Sequence, residues 1–288
     1  MATKSIHIIS SIILCLGMIF PLQLISSSET KIKSFPFKIV NSLIIIEAEI
    51  DGKEGNYILD TGTDAILLDG SPDQTNQNII TPSGDLSTHN TKLTSLKVGN
   101  YVKYDVDAHI VSLSSLKDEL GIDLSGIIGG KFFMPENLIL DFKHSEVIIS
   151  SHITSTDVAG MNTESFTLVN QIPIINIKIQ NKSYRFALDS GATAHFVCPS
   201  ALQRIEAKTT VASHTDIWTV QNVSEIDVSF VIESFSLGNV KFSGHHYISY
   251  DLDHINTELD TPIDGIISLA EIAHEKIILD FRTQKLYF

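Results

Sequence analysis

The chain repeats itself once, and that repeat limits its fold more than any other feature. Around Asp60 the residues run Gly55-Asn-Tyr-Ile-Leu-Asp60-Thr-Gly-Thr-Asp-Ala-Ile-Leu-Leu68. Around Asp189, 129 residues on, they run Tyr184-Arg-Phe-Ala-Leu-Asp189-Ser-Gly-Ala-Thr-Ala-His-Phe-Val197. Upstream, Asp51-Gly52-Lys53 faces Gln180-Asn181-Lys182 at the same offset, each a turn between two strand-like runs. Further on the offset becomes 139: Ser95-Leu-Lys-Val-Gly-Asn100 matches Ser234-Phe-Ser-Leu-Gly-Asn239, and Gly126-Ile-Ile-Gly129 matches Gly265-Ile-Ile-Ser268. Leu138-Ile-Leu-Asp-Phe-Lys143 then matches Ile277-Ile-Leu-Asp-Phe-Arg282. Five segments in order exclude chance, and a net change of ten residues falls between Leu68 and Leu93. Two units of roughly 130 residues are too few and too long for a solenoid. They suit two lobes related by a pseudo-two-fold axis.

The expected class is all-β with a few short helices. Ile39 to Ile50, Ile172 to Ile179, Glu146 to Ile149 and Val228 to Ile232 are apolar or alternating runs rich in β-branched and aromatic residues. Clusters of Gly, Asn, Asp and Ser separate them as turns. Leu113 to Leu120 and Pro199 to Ile205 are the short helical candidates, and the polar stretch from Ser150 to Glu164 reads as a linker. The lobes are expected at 29–150 and 165–288, joined by 151–164. Residues 1–28 are set apart as a secretory leader: Lys4, an apolar core from Ile12 to Phe20, and Ser26-Ser27-Ser28 as a small-residue exit. The alternative is an uncleaved signal anchor, against which His7, Ser10, Ser11 and Pro21 shorten the apolar run. The protein is expected to be exported, periplasmic or secreted. An apolar fraction of 43% excludes disorder, and a net charge of −14 argues against nucleic acid or anionic membranes as partners. Loss of the leader would leave Cys198 as the one cysteine, read as a buried apolar side chain.

Asp60 and Asp189 are the candidate catalytic residues. An Asp followed by Gly is by itself ordinary turn chemistry. Here each acid ends an apolar run, precedes a hydroxyl residue and a glycine, and occupies the same place in the repeat. A pseudo-two-fold axis brings equivalent loops together, so two carboxylates can share one proton, since like charges that close cannot both ionise. One then takes a proton from water while the other polarises a peptide carbonyl. The loops Asp60-Thr-Gly-Thr and Asp189-Ser-Gly-Ala, with the doubled Gly-Ile-Ile motif, resemble the aspartic proteases. The pattern lies between the pepsin-like and retropepsin types and is most similar to exported bacterial aspartyl-protease-like proteins. The resemblance covers roughly residues 36 to 288. It implies a two-lobed pepsin/retropepsin-like fold, a fused retropepsin-like dimer, with Asp60 and Asp189 binding the nucleophilic water. It also implies that Thr61 and Ser190 brace the two loops and that Gly62 and Gly191 permit their close approach.

The two loops differ after the glycine, Thr63 against Ala192. A hydroxyl at Thr63 would favour the charged form of the neighbouring carboxylate, leaving Asp60 ionised and the proton on Asp189, and a dyad less acid-shifted than pepsin's. The flap expected between Gln74 and Lys92 has Pro82-Ser83-Gly84 as its tip and no aromatic residue, while the second half carries Trp218 within its own extra residues. Trp218 reads either as a substrate-facing flap residue or as ordinary cross-strand packing. No cofactor and no metal is expected: Gly129-Gly130-Lys131 lacks a phosphate-loop pattern, and His245-His246 with Asp251, Asp253 and His254 lacks a third ligand at sensible spacing and reads as a solvated loop. The function expected is peptide hydrolysis on a peptide or protein substrate by a monomer. The alternatives are a catalytically silent peptide-binding protein or inhibitor with the same fold, and an unrelated β-rich binding protein whose two acids lie far apart.

Overall fold

In a computed structural model the described residues are 33–71, 77–81, 84–205, 208–210, 215–218, 223–226, 229–257 and 259–288. The leader 1–28 lies outside them, and so do Pro82 and Ser83. The chain is mostly strand. The first half contains β1 (Lys33–Val40), β2 (Leu43–Ile50), β3 (Lys53–Asp60), β4 (Ile66–Asp69), β5 (Gln77–Thr81), β6 (Gly84–Val98) and β7 (Tyr101–Val111). Helix α1 (Ser114–Leu120) follows, then β8 (Leu124–Gly129), β9 (Asn137–Asp141) and β10 (Glu146–Ser150). The second half contains β11 (Thr163–Val169), β12 (Ile172–Ile179), β13 (Lys182–Asp189), β14 (His195–Val197), α2 (Pro199–Leu202), β15 (Lys208–Thr210), β16 (Thr215–Trp218) and β17 (Val223–Ile226). It ends with β18 (Ser229–Leu237), β19 (Val240–Ser249), α3 (Asp253–Asn256), β20 (Gly265–Ser268), α4 (Leu269–Ile272), β21 (Lys276–Asp280) and β22 (Lys285–Tyr287).

Strand pairing carries the sequence repeat into space. In the first half β2, β3, β8, β4, β7 and β6 pair in a closed ring, because β6 returns to β2. In the second half β12, β13, β20, β14, β19 and β18 close in the same way. In both rings the strand ending in Asp60 or Asp189 lies parallel to the Gly-Ile-Ile strand, and the strand leaving the loop returns antiparallel on its other side. That crossing explains the doubled glycine. A Cβ at Gly126 would lie 2.3 Å from the Leu67 carbonyl oxygen, and one at Gly265 would lie 2.2 Å from that of Phe196. No side chain fits between strands that close.

A shared antiparallel sheet, in the order β1-β10-β9-β21-β22-β11, joins the two rings. Its central register pairs Ile139 with Ile278, which are equivalents in the repeat, and Leu138 with Leu279. A residue facing its own equivalent marks the place where a two-fold axis crosses the sheet. The buried apolar cluster runs continuously through both halves. A second, smaller cluster lies in the first half, where Leu113, Leu116 and Leu120 cover Leu43, Ile45 and Ile58.

The run Ile39 to Ile50, read as one strand-like segment, is a hairpin. Asn41 and Ser42 both have positive φ (48° and 67°), the conformation of a two-residue type I′ connection. Asp51-Gly52, Asn170-Gln171 and Gln180-Asn181 repeat it, two turns per half at equivalent places. β11 begins at Thr163, and residues 151–162 separate it from the end of β10 at Ser150. Among the described residues no helix is long and apolar enough to cross a membrane.

Candidate active site

Asp60 and Asp189 end β3 and β13, and the residues after them lock the two strand ends to each other. The Thr61 hydroxyl donates to the Leu188 carbonyl at 2.9 Å and accepts the Ser190 amide at 3.0 Å. The Ser190 hydroxyl donates to the Leu59 carbonyl at 2.8 Å and accepts the Thr61 amide at 3.0 Å. Thr61 and Ser190 are both fully buried. Four buried hydrogen bonds therefore cross between loops 129 residues apart, each leaving an unpaired backbone group if broken.

The glycines show how close the carboxylates come. A Cβ on Gly62 would lie 2.5 Å from the Asp189 carboxyl carbon, and one on Gly191 would lie 2.5 Å from that of Asp60. Each carboxylate also accepts the amide of its own loop glycine, Gly62 to Asp60 at 2.8 Å and Gly191 to Asp189 at 2.6 Å. The two carboxyl groups thus meet in one buried site, where like charges that close do not both ionise. Burial raises both above the ordinary carboxylate range. Asp189 is held well above it, by burial first and then by the charge of Asp60 and the bond to it. For Asp60 the bond from Asp189 and the amides of Gly62 and Thr63 partly offset burial. The two therefore titrate as one pair, and the proton belongs to the pair rather than to either residue. For Thr63 the route differs from the one read in the sequence: it acts on Asp60 through its backbone N–H, while its hydroxyl accepts the Ala65 amide at 3.2 Å. Ala192, the counterpart of Thr63, is buried.

The expected flap is a hairpin of β5 and β6 whose last pair is Thr81 with Gly84, so Pro82 and Ser83 fall between paired ends, outside the described residues. The second half has a hairpin too, β16 with β17, where Trp218 pairs with Val223 in the backbone; its side chain lies outside the described part. Each hairpin approaches a helix of the other half within 8 Å between Cα atoms, β5 at α3 and β16 at α1. A concavity of about 770 Å³ is lined by Phe35, Lys53, Tyr57 and Lys117 among others, all of the first half, and includes neither Asp60 nor Asp189. Of its cations, Lys117 faces Asp69 and Asp123, and Lys97 faces Glu49.

Cys198 is buried, donates to the Ile263 carbonyl at 3.5 Å, and has its thiol pushed up to about 11 by burial, which makes it inert. The pair His245-His246, read as a solvated loop, lies instead within β19, with His246 exposed and the His245 ring 3.2 Å from that of His195. Among the described residues no group of three His, Cys, Asp or Glu side chains is arranged to hold a metal ion. Sequence reading passed over His195. Its signal was present: the first half has Ile66 at the equivalent place, and a polar residue where the repeat expects an apolar one marks a different job.

Residues 175–270 match the model of a family described as aspartyl protease. The matched span includes the Asp189-Ser-Gly loop and the Gly265-Ile-Ile-Ser268 strand. No curated protein matches the chain.

Proposed function

We propose that this chain is an aspartic endopeptidase of the two-lobed pepsin/retropepsin type, with Asp60 and Asp189 as its catalytic pair. The observation that carries the reading is the reciprocal bracing of Thr61 and Ser190, which sets two buried carboxylates face to face. The match to an aspartyl protease family over the second half supports it. A water held between the carboxylates attacks the peptide carbonyl carbon. Its proton passes to Asp60, and the carbonyl oxygen takes the proton of Asp189. When the C–N bond breaks, Asp60 returns its proton to the leaving nitrogen, and Asp189 recovers one from the new carboxyl group. The peptide lies extended in the cleft, beneath the β5–β6 and β16–β17 hairpins. The lobes correspond to 29–150 and 165–288 with 151–164 between them. The same proposal includes export after removal of 1–28 and action as a monomer.

The test is cleavage of a peptide library by residues 29–288 between pH 3 and 8. Asp60→Asn and Asp189→Asn should each lower kcat/KM by about a hundred- to ten-thousand-fold. Binding without cleavage by the unaltered protein would favour a silent peptide-binding protein instead.

A further inference from the structure

The two halves hold their catalytic loops by different means. In the first, the amide of Gly129, opposite Asp60 in the β3–β8 pairing, donates to the Ala65 carbonyl at 3.0 Å. A Cβ at Gly129 would lie 2.5 Å from that oxygen and 2.7 Å from the Thr63 carbonyl oxygen, so this closure needs glycine. In the second half the equivalent residue is Ser268, opposite Asp189, and it has a Cβ. Its amide donates to Nδ1 of His195 at 3.1 Å. A side chain thus replaces the main-chain acceptor that serine excludes. Gly129 with Ile66 and Ser268 with His195 are matched pairs.

The hydrogen bonds fix the state of the ring. A backbone N–H can only donate, so Nδ1 of His195 carries no proton, and the proton on Nε2 is shared with Nδ1 of His245 at 3.2 Å. His195 is 1% exposed. Among the described residues the titratable side chains facing it are His245 and Tyr247 of β19, the latter at 5.0 Å between ring centroids. From β18 it meets Phe235, and from β20 Ser268. Glu271 of α4 and His246 act on His245 rather than on His195. No carboxylate among these is placed to stabilise an imidazolium, and burial with the neighbouring His245 lowers the His195 pKa to about 3. A proton arriving on Nδ1 would set N–H against N–H and release Ser268.

We propose that His195 is a positioning residue for Asp189: its neutral ring holds the strand against which Asp189 is set. The part that concerns activity rests on the protease reading; the latch itself does not. Histidine side-chain ¹⁵N spectra of the protein should show His195 neutral at pH 5, with the proton on Nε2. Titration of His195 together with the exposed histidines would overturn the proposal.

Two variants carry the test into function. His195→Asn keeps an acceptor at the same distance from Cβ and removes the titration. The double change His195→Ile with Ser268→Gly rebuilds the first half's arrangement in the second. Relative to His195→Ile alone, which should lower kcat by about tenfold or more with KM little changed, both should restore kcat. The single change His195→Ile should lower stability at every pH, and adding Ser268→Gly should restore it. A kcat for His195→Ile equal to that of the unaltered protein, or one that Ser268→Gly does not restore, would refute the positioning role. If the unaltered protein cleaves nothing, the protease reading fails separately. The latch is then judged by the spectra and by melting temperature between pH 6 and 4, where His195→Asn should lose less than the unaltered protein.

Discussion

At the scale of single residues, the site depends on atoms that touch no substrate. Ser190→Ala removes one acceptor and one donor, leaving the Thr61 amide and the Leu59 carbonyl unpaired in a buried place. Each orphan costs about 1–3 kcal/mol, so the variant should lose a few kcal/mol in denaturant melts and, under the proposed function, most of its peptide cleavage. Ser190→Thr, which copies the first loop, should retain both. Gly62→Ala acts differently. Its methyl carbon would fall on the Asp189 carboxyl group, 2.5 Å from the carboxyl carbon, and must drive the two acids apart. Activity should vanish while the fold persists, because the bracing bonds lie behind the loop. Far-ultraviolet circular dichroism alongside cleavage assays separates the two cases, and an active Gly62→Ala protein would contradict the placement of the carboxylates.

At the scale of elements, the crossing of strands through each ring sets the most demanding positions. At Gly265 a Cβ would meet backbone at 2.2 Å and the Phe186 ring at 2.3 Å, with buried Phe186 unable to move aside. Gly265→Ala should therefore destabilise by several kcal/mol, at the upper end of point changes, whereas Gly160→Ala, with nothing within 4 Å, meets no clash and pays only for its positive φ. Comparison of their melting midpoints checks this. The same elements explain what could be read from sequence. The repeat was legible because Gly-Ile-Ile and Asp-Ser/Thr-Gly are dictated by backbone contact, where few residues fit. The hairpin at Asn41-Ser42 was not, because the turn lacks glycine and β2 is buried on both faces at Leu43 to Ile46, so apolar text ran on without alternation. The role of His195 was hidden for a different reason. Its partner is a main-chain amide 73 residues away, which no side-chain motif records.

At the scale of the whole molecule, the dyad and His195 oppose each other in the response to acid. The carboxyl pair has its folded-state pKa raised, so the folded protein binds the shared proton more tightly than the unfolded chain does. Its contribution is present at low pH and lost as pH rises through the folded value. His195 has its folded-state value lowered to about 3, so the unfolded chain takes up that proton first. Its contribution is intact above the ordinary histidine value of about 6.5 and declines as pH falls toward 3. In the mildly acid range the two slopes are of opposite sign, so the effects offset each other in part. The 34 acidic side chains of the chain add a background that every variant shares. Subtracting the unaltered protein's curve removes that background. Asp189→Asn should raise the melting temperature at pH 7 and lose this advantage as the pH is lowered. His195→Asn should gain relative to the unaltered protein as pH falls from 6.5 to 4. The two difference curves must tilt in opposite directions across the same window. Curves of the same sign would mean that the proton between Asp60 and Asp189, or the neutral ring of His195, has been assigned to the wrong group.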